Sequence, residues 1–104
     1  MRRKAELTII LPNYNSEFYI KKTIKSIFSQ TYQKWKLIII DDNSNNNTKK
    51  ILRKYKNNKK VKIFYLISNH GAAYCRNYAL NNFSLKIGVE KYKFIYNEAI
   101  NMVL

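Results

Sequence analysis

Three short apolar runs recur along the chain and predict β-strands. They are Leu7–Leu11, Leu37–Ile40 and Val61–Ile67. The second run holds four consecutive apolar residues, three of them β-branched, which is typical of a strand covered on both faces of a parallel sheet. Pro12 follows the first run, and because proline is disfavoured in the middle of a strand, we expect the strand to end there.

The segments between these runs have the periodicity of helices. After the first run, apolar side chains recur at the spacing of an amphipathic helix, at Ile20, Ile24, Ile27 and Phe28. Asn15 or Ser16 is placed to cap this helix. Further helices are predicted from Thr48 to about Lys56 and from Ala72 to about Asn82. The resulting β-α-β-α-β-α order predicts an α/β protein with a parallel sheet and right-handed crossovers.

Each predicted strand is followed by a cluster of polar residues: Asn13–Asn15, Asp41–Ser44 and Ser68–His70. Because parallel strands end at one edge of the sheet, where α/β proteins bind ligands, the three clusters predict one composite site. Two adjacent carboxylates after a buried strand are costly unless water, a cation or a ligand donor meets them. The alternative, left open here, is that Asp41 and Asp42 cap the next helix.

The charge balance bears on partners. The net charge is +14, with 20 Lys and Arg against 6 Asp and Glu. An anionic partner would explain this excess, but Lys outnumbers Arg 16 to 4 and there are 14 Asn, which favours a general drift in composition. Phosphate recognition by forked hydrogen bonds would favour Arg. We therefore expect no nucleic-acid partner, while peripheral contact with an anionic membrane stays open.

The number of cysteines and the lengths of the apolar runs exclude some classes of protein. The single cysteine, Cys75, rules out an internal disulfide and a cysteine-based zinc site, and it fits a reducing compartment. The apolar run that precedes Pro12 is too short for the core of a signal peptide, and no run reaches transmembrane length. We expect a cytoplasmic protein, with the inner face of the membrane as a second option.

Three motifs in order carry a family resemblance. They are TIILPNYN at Thr8–Asn15, LIIIDDNSNNNT at Leu37–Thr48 and NHGAAYCRNYAL at Asn69–Leu80. Together with SIFSQTY at Ser26–Tyr32, they resemble the nucleotide-binding half of family 2 glycosyltransferases, which have the GT-A fold. The resemblance implies a three-layer, Rossmann-like half-domain over residues 1–82, with a mainly parallel sheet of three to four strands. Residues 83–104 would form a divergent tail, with a fourth strand and a short helix.

The resemblance also implies a function and a set of site residues. The family transfers a sugar from a nucleoside-diphosphate donor, here expected to be of the UDP type, to an acceptor that the sequence does not identify. Pro12 and Tyr14 lie where the family holds the nucleobase, with the Tyr14 ring packed against it. Asp42 lies where a carboxylate accepts from the ring N–H of the base, and Arg76 lies near the base and the diphosphate. Stacking on an aromatic ring contributes roughly 1–3 kcal/mol per base, and arginine forks onto phosphate oxygens.

Other residues at this edge have weaker assignments. Asp41 and Asn13 are additional candidates for nucleotide contacts. His70, the single histidine, is interpreted as a loop residue without a chemical role, and Cys75 as a packing residue. No catalytic residue is assigned.

One family motif is missing. Family members hold a divalent cation, Mn²⁺ or Mg²⁺, with an Asp-x-Asp motif after the next strand. This sequence has no aspartate after Asp42, and Asn97 and Glu98 stand near the expected place. We therefore expect the metal ligands to be absent and the chain to be truncated before the motif, which puts its turnover in question.

Two other interpretations stay open. The first is a non-catalytic basic module that binds an anionic membrane or nucleic acid. The second is a decayed fragment without function. The apolar residues of the tail would then pack on an exposed sheet edge or promote self-association.

Overall fold

The computed structural model describes residues 7–82 and the backbone of residues 91–94. The elements are β1 (Leu7–Asn13), α1 (Ile20–Phe28), β2 (Trp35–Asp41), α2 (Asn46–Arg53), β3 (Val61–Tyr65), α3 (Ala72–Asn82) and β4 (Lys91–Phe94). All three strand pairings are parallel, and the strand order is β3-β2-β1-β4. The predicted α/β fold with a parallel sheet is confirmed, and the sheet as described has four strands.

The first strand is longer than its apolar pattern indicated. β1 continues to Asn13, with Pro12 opposite Ile40 and Asn13 opposite Asp41 on β2. Within the described residues, β1 pairs with β4 from Leu7 to Ile10, so in this part of the sheet a neighbouring strand borders Pro12 on one side. Proline is tolerated where one side of the strand needs no backbone donor. The expectation that Pro12 ends the strand was therefore wrong.

The helix starts also differ from expectation. No side chain caps α1, and instead the Ser16 carbonyl accepts the N–H groups of Tyr19 and Ile20 in a turn that leads into the helix. The Ser16 hydroxyl donates to the side chain of Asn13, so it is committed elsewhere. α2 begins at Asn46 because the Asn45 side chain accepts from the Thr48 N–H at 2.9 Å and acts as the N-cap.

Two apolar clusters, one on each face of the sheet, make the three layers. On one face, side chains of β1, β2 and β3 pack against α1 and α2, and the buried members are Ile9, Leu11, Ile20, Ile24, Ile27, Trp35, Leu37, Ile39, Leu52 and Val61. On the other face, alternate residues of β1 and β2 pack against α3, and the buried members are Ile10, Ile38, Ile40, Cys75 and Ala79. The packing assignment of Cys75 is confirmed.

The chain reverses direction across the sheet at β1. From β1 the chain steps outward to β2 and then β3 with α1 and α2 on one face, and then α3 carries it back over the opposite face to β4 on the far side of β1. In open α/β sheets a ligand crevice forms at the carboxyl ends of the strands where the strand order reverses. The topology thus marks the end of β1 as the centre of a candidate site.

The proposed division of the chain at residues 82 and 83 stays a prediction. β4 supplies a fourth strand within the segment that we expected to be a divergent tail. The expected short helix, the apolar tail residues other than Phe94, and Asn97 and Glu98 lie outside the described residues.

Candidate functional site

The carboxyl edge of the sheet joins the three polar clusters by backbone hydrogen bonds. The Asp42 N–H donates to the Asn13 carbonyl at 2.8 Å, and the Leu66 N–H donates to the Asp41 carbonyl at 2.8 Å. These two bonds continue the ladders β1–β2 and β2–β3 by one step beyond the strands. The loops that follow β1, β2 and β3 therefore start side by side.

Asp41 is enclosed by donors from the end of β1 and from the loop after β2. Its side chain is 0% exposed. It accepts from the Asn13 side-chain amide at 3.0 Å, from the Ser44 hydroxyl at 2.6 Å and from the Ser44 N–H at 3.0 Å. Because a buried carboxylate needs several donors to replace its lost hydration, these three bonds account for its stability at this position. Asp41 holds the turn after β2 closed and ties it to the end of β1.

Asp42 is held by the loop that follows β3. One carboxylate oxygen accepts from the His70 N–H at 2.9 Å and the other from the Gly71 N–H at 2.8 Å. The Asn69 side-chain amide also donates to the Asp42 carbonyl. Gly71 directly precedes α3, and a negative charge is favourable at the N-terminus of a helix. Asp42 thus contacts the start of α3, while Asn45 caps the helix that follows Asp42 along the chain, contrary to the capping alternative considered above.

Strand geometry explains why two adjacent carboxylates have different neighbours. Side chains alternate between the two faces of a strand. Leu37 and Ile39 face α1 and α2, and Asp41 continues this series, while Ile38 and Ile40 face α3, and Asp42 continues that one. Each carboxylate accordingly bonds to the loop on its own side of the sheet.

A second group of bonds fastens the loop after β1 to the loop after β2. The Asn15 N–H donates to the Ser44 hydroxyl at 2.8 Å, and the Asn45 N–H donates to the Asn15 side-chain oxygen at 2.7 Å. Asn45 also donates to the Glu17 carboxylate at 2.7 Å. Asn15 and Asn43 have positive φ angles of 45° and 56°, a backbone conformation that Asn tolerates better than most residues. Asn15, Asn43 and Asn45 therefore each have a local structural role in these two loops.

The four predicted nucleotide contacts lie at or next to this edge, on different elements. Pro12 is buried near the end of β1, and Tyr14, which is half-buried, comes directly after β1. Asp42 comes directly after β2 and is 5% exposed. Arg76 is half-buried in the second turn of α3, the helix whose start Asp42 contacts. The structure thus brings Pro12, Tyr14 and Asp42 to neighbouring strand ends and Arg76 onto the adjacent helix, and their contacts with a nucleotide stay predictions.

The additional candidates Asp41 and Asn13 are buried among protein groups. Asn13 is 1% exposed, and its side chain bonds to Asp41 and to Ser16. A nucleotide would reach either side chain only after displacing these partners. Their role as nucleotide contacts stays a prediction.

The loop after β3 contains residues to which we gave no role. The His70 ring stacks on the Tyr74 ring at a centroid distance of 4.1 Å, and its Nε2 atom lies 2.8 Å from the Ser68 hydroxyl. Gly71 has a φ angle of +91°, in the region that favours glycine. These features fix the two N–H groups that Asp42 accepts. The signal in the sequence was the Asn-His-Gly triplet directly before a helix, where glycine permits the turn.

The carboxyl edge affects the pKa of a neighbouring tyrosine, Tyr65. Burial raises the pKa of Tyr65, and the negative charge of Asp41 raises it further, while Arg53 partly offsets both effects. Tyr65 pairs with Asp41 at the end of β3. The phenol is therefore kept neutral to higher pH than an ordinary tyrosine.

The described residues do not fit a divalent cation. Within them, no group of three His, Cys, Asp or Glu side chains lies close enough to hold a metal ion. The oxygens of Asp41 and Asp42 already accept from N–H and O–H donors, which leaves no pair of free carboxylates facing one point. In the same part of the chain, no helix has the length and apolar character needed to cross a membrane.

Comparison with known proteins decides the family. The model of glycosyl transferase family 2 matches residues 8–87. The chain belongs to glycosyl transferase family 2. The match covers all three motifs that suggested the family, so that prediction is confirmed.

Among curated family 2 relatives, the putative teichuronic acid biosynthesis glycosyltransferase TuaG of Bacillus subtilis is 40% identical over 78 residues, which are 74% of this chain and 31% of TuaG. An uncharacterised glycosyltransferase of Haemophilus influenzae is 39% identical over 75 residues, 71% of this chain and 30% of that protein. The chain therefore spans about a third of the length of these relatives.

Solved structures agree with the family assignment. TarS residues 1–349 of Staphylococcus aureus, solved in complex with UDP, match 89% of this family 2 chain with a TM-score of 0.73 and 30% identity, and the match covers 27% of that chain. The mannosyltransferase PcManGT of Pyrobaculum calidifontis, solved with GDP-Man and Mn²⁺, matches 76% of this chain and 24% of its own, with a TM-score of 0.68 and 23% identity. The second likeness concerns the fold alone, and together they confirm the GT-A assignment.

Proposed function

We propose that this chain binds the nucleotide part of a nucleoside-diphosphate sugar, of the UDP type, as the donor-binding part of a family 2 glycosyltransferase. The observation that carries the proposal is the Asp42 carboxylate, which two backbone N–H groups hold at the carboxyl edge. The complex of TarS with UDP supports the choice of ligand, since TarS is 30% identical over the matched region. The donor sugar and the acceptor are left open.

The fixed carboxylate supports a specific kind of base recognition. A carboxylate oxygen offers about two acceptor positions, and each oxygen of Asp42 uses one for a backbone N–H. The remaining acceptor positions of the Asp42 oxygens can accept from a donor group of a ligand, and they repel an acceptor group. Uracil presents a ring N–H, whereas cytosine presents a bare ring nitrogen at the same position. A site that pairs a substrate N–H rejects an analogue that lacks it, so UDP is expected to bind in preference to CDP.

The other proposed contacts have separate tasks. The Tyr14 ring, next to the end of β1, stacks on the base, and Pro12 shapes the wall beside it. Arg76 binds phosphate oxygens from the second turn of α3. Asp41 and Asn13 hold the loops in place from the opposite face of the sheet. Since no three His, Cys, Asp or Glu side chains of the described residues lie together where they could hold a metal ion, we expect nucleotide binding by this chain to be independent of Mn²⁺. A cytoplasmic location is proposed with it, consistent with a single cysteine that is buried in the core.

Calorimetric titration tests the proposal. We expect the chain to bind UDP at least tenfold more tightly than CDP, with the same affinity in Mn²⁺ and in EDTA. Tyr14→Ala should weaken UDP binding about tenfold, because stacking contributes roughly 1–3 kcal/mol. Tyr32→Ala is the matched control, since Tyr32 precedes β2 at the opposite edge of the sheet. An absence of heat at millimolar UDP, or equal losses in the two variants, would contradict the proposal.

A further inference from the structure

We propose that the outer face of α1 docks on an anionic lipid membrane. The surface, here called the α1 stripe, consists of Phe18, Lys21, Lys22 and Lys25. All four side chains are exposed, and Phe18 is 84% exposed. Lys25 follows Lys21 by four residues and Lys22 by three, so the three lysines share one side of α1. Phe18 lies in the turn that leads into α1, directly before the N-cap residue Tyr19. The buried residues Ile20, Ile24 and Ile27 lie on the opposite side, against the sheet.

The neighbouring helix extends the positive surface. α1 and α2 contact each other and pack on the same face of the sheet. Lys50 and Arg53 on α2 and Lys54 at its C-cap are exposed. Six cationic side chains therefore belong to the outer layer formed by these two helices. Such a layer is complementary in charge to the surface of an anionic bilayer.

Carboxylates do little to neutralise this layer. Residues 7–82 contain three carboxylate side chains, Glu17, Asp41 and Asp42. Asp41 and Asp42 are buried at the carboxyl edge and bonded to N–H and O–H donors. Glu17 accepts a hydrogen bond from Asn45 at the same edge, where α2 begins. Within the described part of the chain, Glu17 is therefore the one carboxylate beside the two helices, against six exposed cationic side chains.

The exposed aromatic ring distinguishes a membrane from other anionic partners. A large exposed apolar side chain close in sequence to exposed lysines is typical of a surface whose ring enters the lipid headgroup region while the ammonium groups meet lipid phosphates. Three lysines and no arginine on the α1 stripe suit a diffuse anionic surface, since forked phosphate recognition in nucleic acids favours arginine.

Docking through the α1 stripe leaves the candidate nucleotide site accessible. The stripe lies on the α1 and α2 face of the sheet, and the Asp42 carboxylate bonds to the loop on the α3 face. The α1 stripe and the Asp42 carboxylate therefore lie on opposite faces of the sheet, and the membrane proposal does not depend on nucleotide binding.

Vesicle co-sedimentation of the full chain tests the proposal. Vesicles of phosphatidylcholine with phosphatidylglycerol are compared with vesicles of phosphatidylcholine alone. We expect binding to the anionic vesicles that weakens as salt is raised. The double variant Lys22→Gln with Lys25→Gln should bind about thirtyfold more weakly, since each lysine near such a surface contributes about fivefold. Phe18→Ser should bind about fivefold more weakly at unchanged charge.

A charge-matched control separates the stripe from the net charge. Lys36 and Lys62 are exposed, and the strand alternation puts both on the α3 face, since Lys36 shares the face of Ile38 and Lys62 pairs with Ile38. Lys36→Gln with Lys62→Gln removes the same two charges and should lose less than about threefold. Glutamine forms helices about as well as lysine, so the variants of α1 keep their fold, which circular dichroism checks.

Three results would overturn the proposal. Equal losses in the two double variants would assign the binding to net charge alone. Equal affinity for vesicles with and without phosphatidylglycerol would show that binding does not require an anionic lipid. Tighter binding to a single-stranded RNA than to anionic vesicles, with no effect of Phe18→Ser on the vesicle affinity, would make the stripe a polyanion surface instead.

Discussion

Asp41 and Asp42 are adjacent in the sequence and both are buried, yet the donors around them differ in kind. Asp41, on the α1 and α2 side, bonds to Ser44 and to the side chain of Asn13. Asp42, on the α3 side, bonds to two backbone N–H groups of the loop after β3. The same residue type thus closes a turn on one side of the sheet and holds a loop beside a candidate ligand site on the other.

The comparison shows that two adjacent residues at the end of one strand can have different structural roles. Because alternate residues point to opposite faces, a pair of carboxylates after one strand reaches two different loops. On the Asp41 side two side-chain donors and one backbone N–H meet the carboxylate, whereas on the Asp42 side each carboxylate oxygen accepts one backbone N–H. The proposed nucleotide contact concerns the Asp42 side. Stability and binding are therefore expected to separate when the two residues are changed individually.

The largest effect is expected for Asp41→Ala. Removing this carboxylate leaves three donors without an acceptor in a buried site, which costs roughly 3 kcal/mol of unfolding free energy. Urea unfolding followed by the fluorescence of the single tryptophan, Trp35, measures this loss. Asn47→Ala, at an exposed position of α2, is the control and should change little. A smaller loss for Asp41→Ala than for the Asp42 variant below would reverse the comparison.

The next effect, Asp42→Asn, combines stability with binding. An amide has one acceptor oxygen, so either the His70 or the Gly71 N–H would face an NH₂ group, at a cost of roughly 2 kcal/mol. UDP affinity should fall at least tenfold when titrated at a temperature where the variant stays folded.

Ser44→Ala is the matched control for Asp42→Asn. It removes a hydroxyl bond to Asp41 and should cost roughly 1 kcal/mol of stability while UDP affinity stays unchanged. If Ser44→Ala lowered UDP affinity as much as Asp42→Asn, the separation of the two sides would fail.

A smaller effect is expected for Gly71→Ala. A Cβ atom at Gly71 would meet nothing within 4 Å, so the cost comes from the φ angle of +91° alone and amounts to about 1 kcal/mol. Thermal unfolding should show Gly71→Asn between glycine and alanine, because asparagine tolerates left-handed backbone better. Alanine as stable as glycine would mean that this loop does not need the observed conformation to hold Asp42.

The smallest effect concerns Tyr65 and appears at alkaline pH. Its pKa is raised mainly by burial and further by Asp41, so the neutral phenol stabilises the fold below the ordinary pKa near 10, and this contribution is lost as pH rises through the folded pKa. Tyr65→Phe should therefore lose less thermal stability than the wild type between about pH 9 and 11. Identical curves for the two proteins would contradict the raised pKa of Tyr65.

Much of the architecture followed from the sequence. The apolar runs at β1, β2 and β3 and the order of strands and helices predicted a parallel sheet, and three polar clusters predicted a shared edge. Local signals fixed these features, because β-branched runs, helical spacing and turn residues act within a few positions. The family motifs, confirmed over residues 8–87, added the expected ligand class.

The sequence alone determined the element types, the parallel topology and the residues that gather at the carboxyl edge, since each depends on short-range pattern. The tertiary structure decided which loop each carboxylate bonds to, why β1 continues through Pro12, and that Asn69, His70 and Gly71 hold Asp42. Those outcomes depend on contacts between residues nearly thirty positions apart, such as Asp42 with His70 at a separation of 28. The register of neighbouring strands sets such contacts, and a pattern read along one segment carries no information about its register with another.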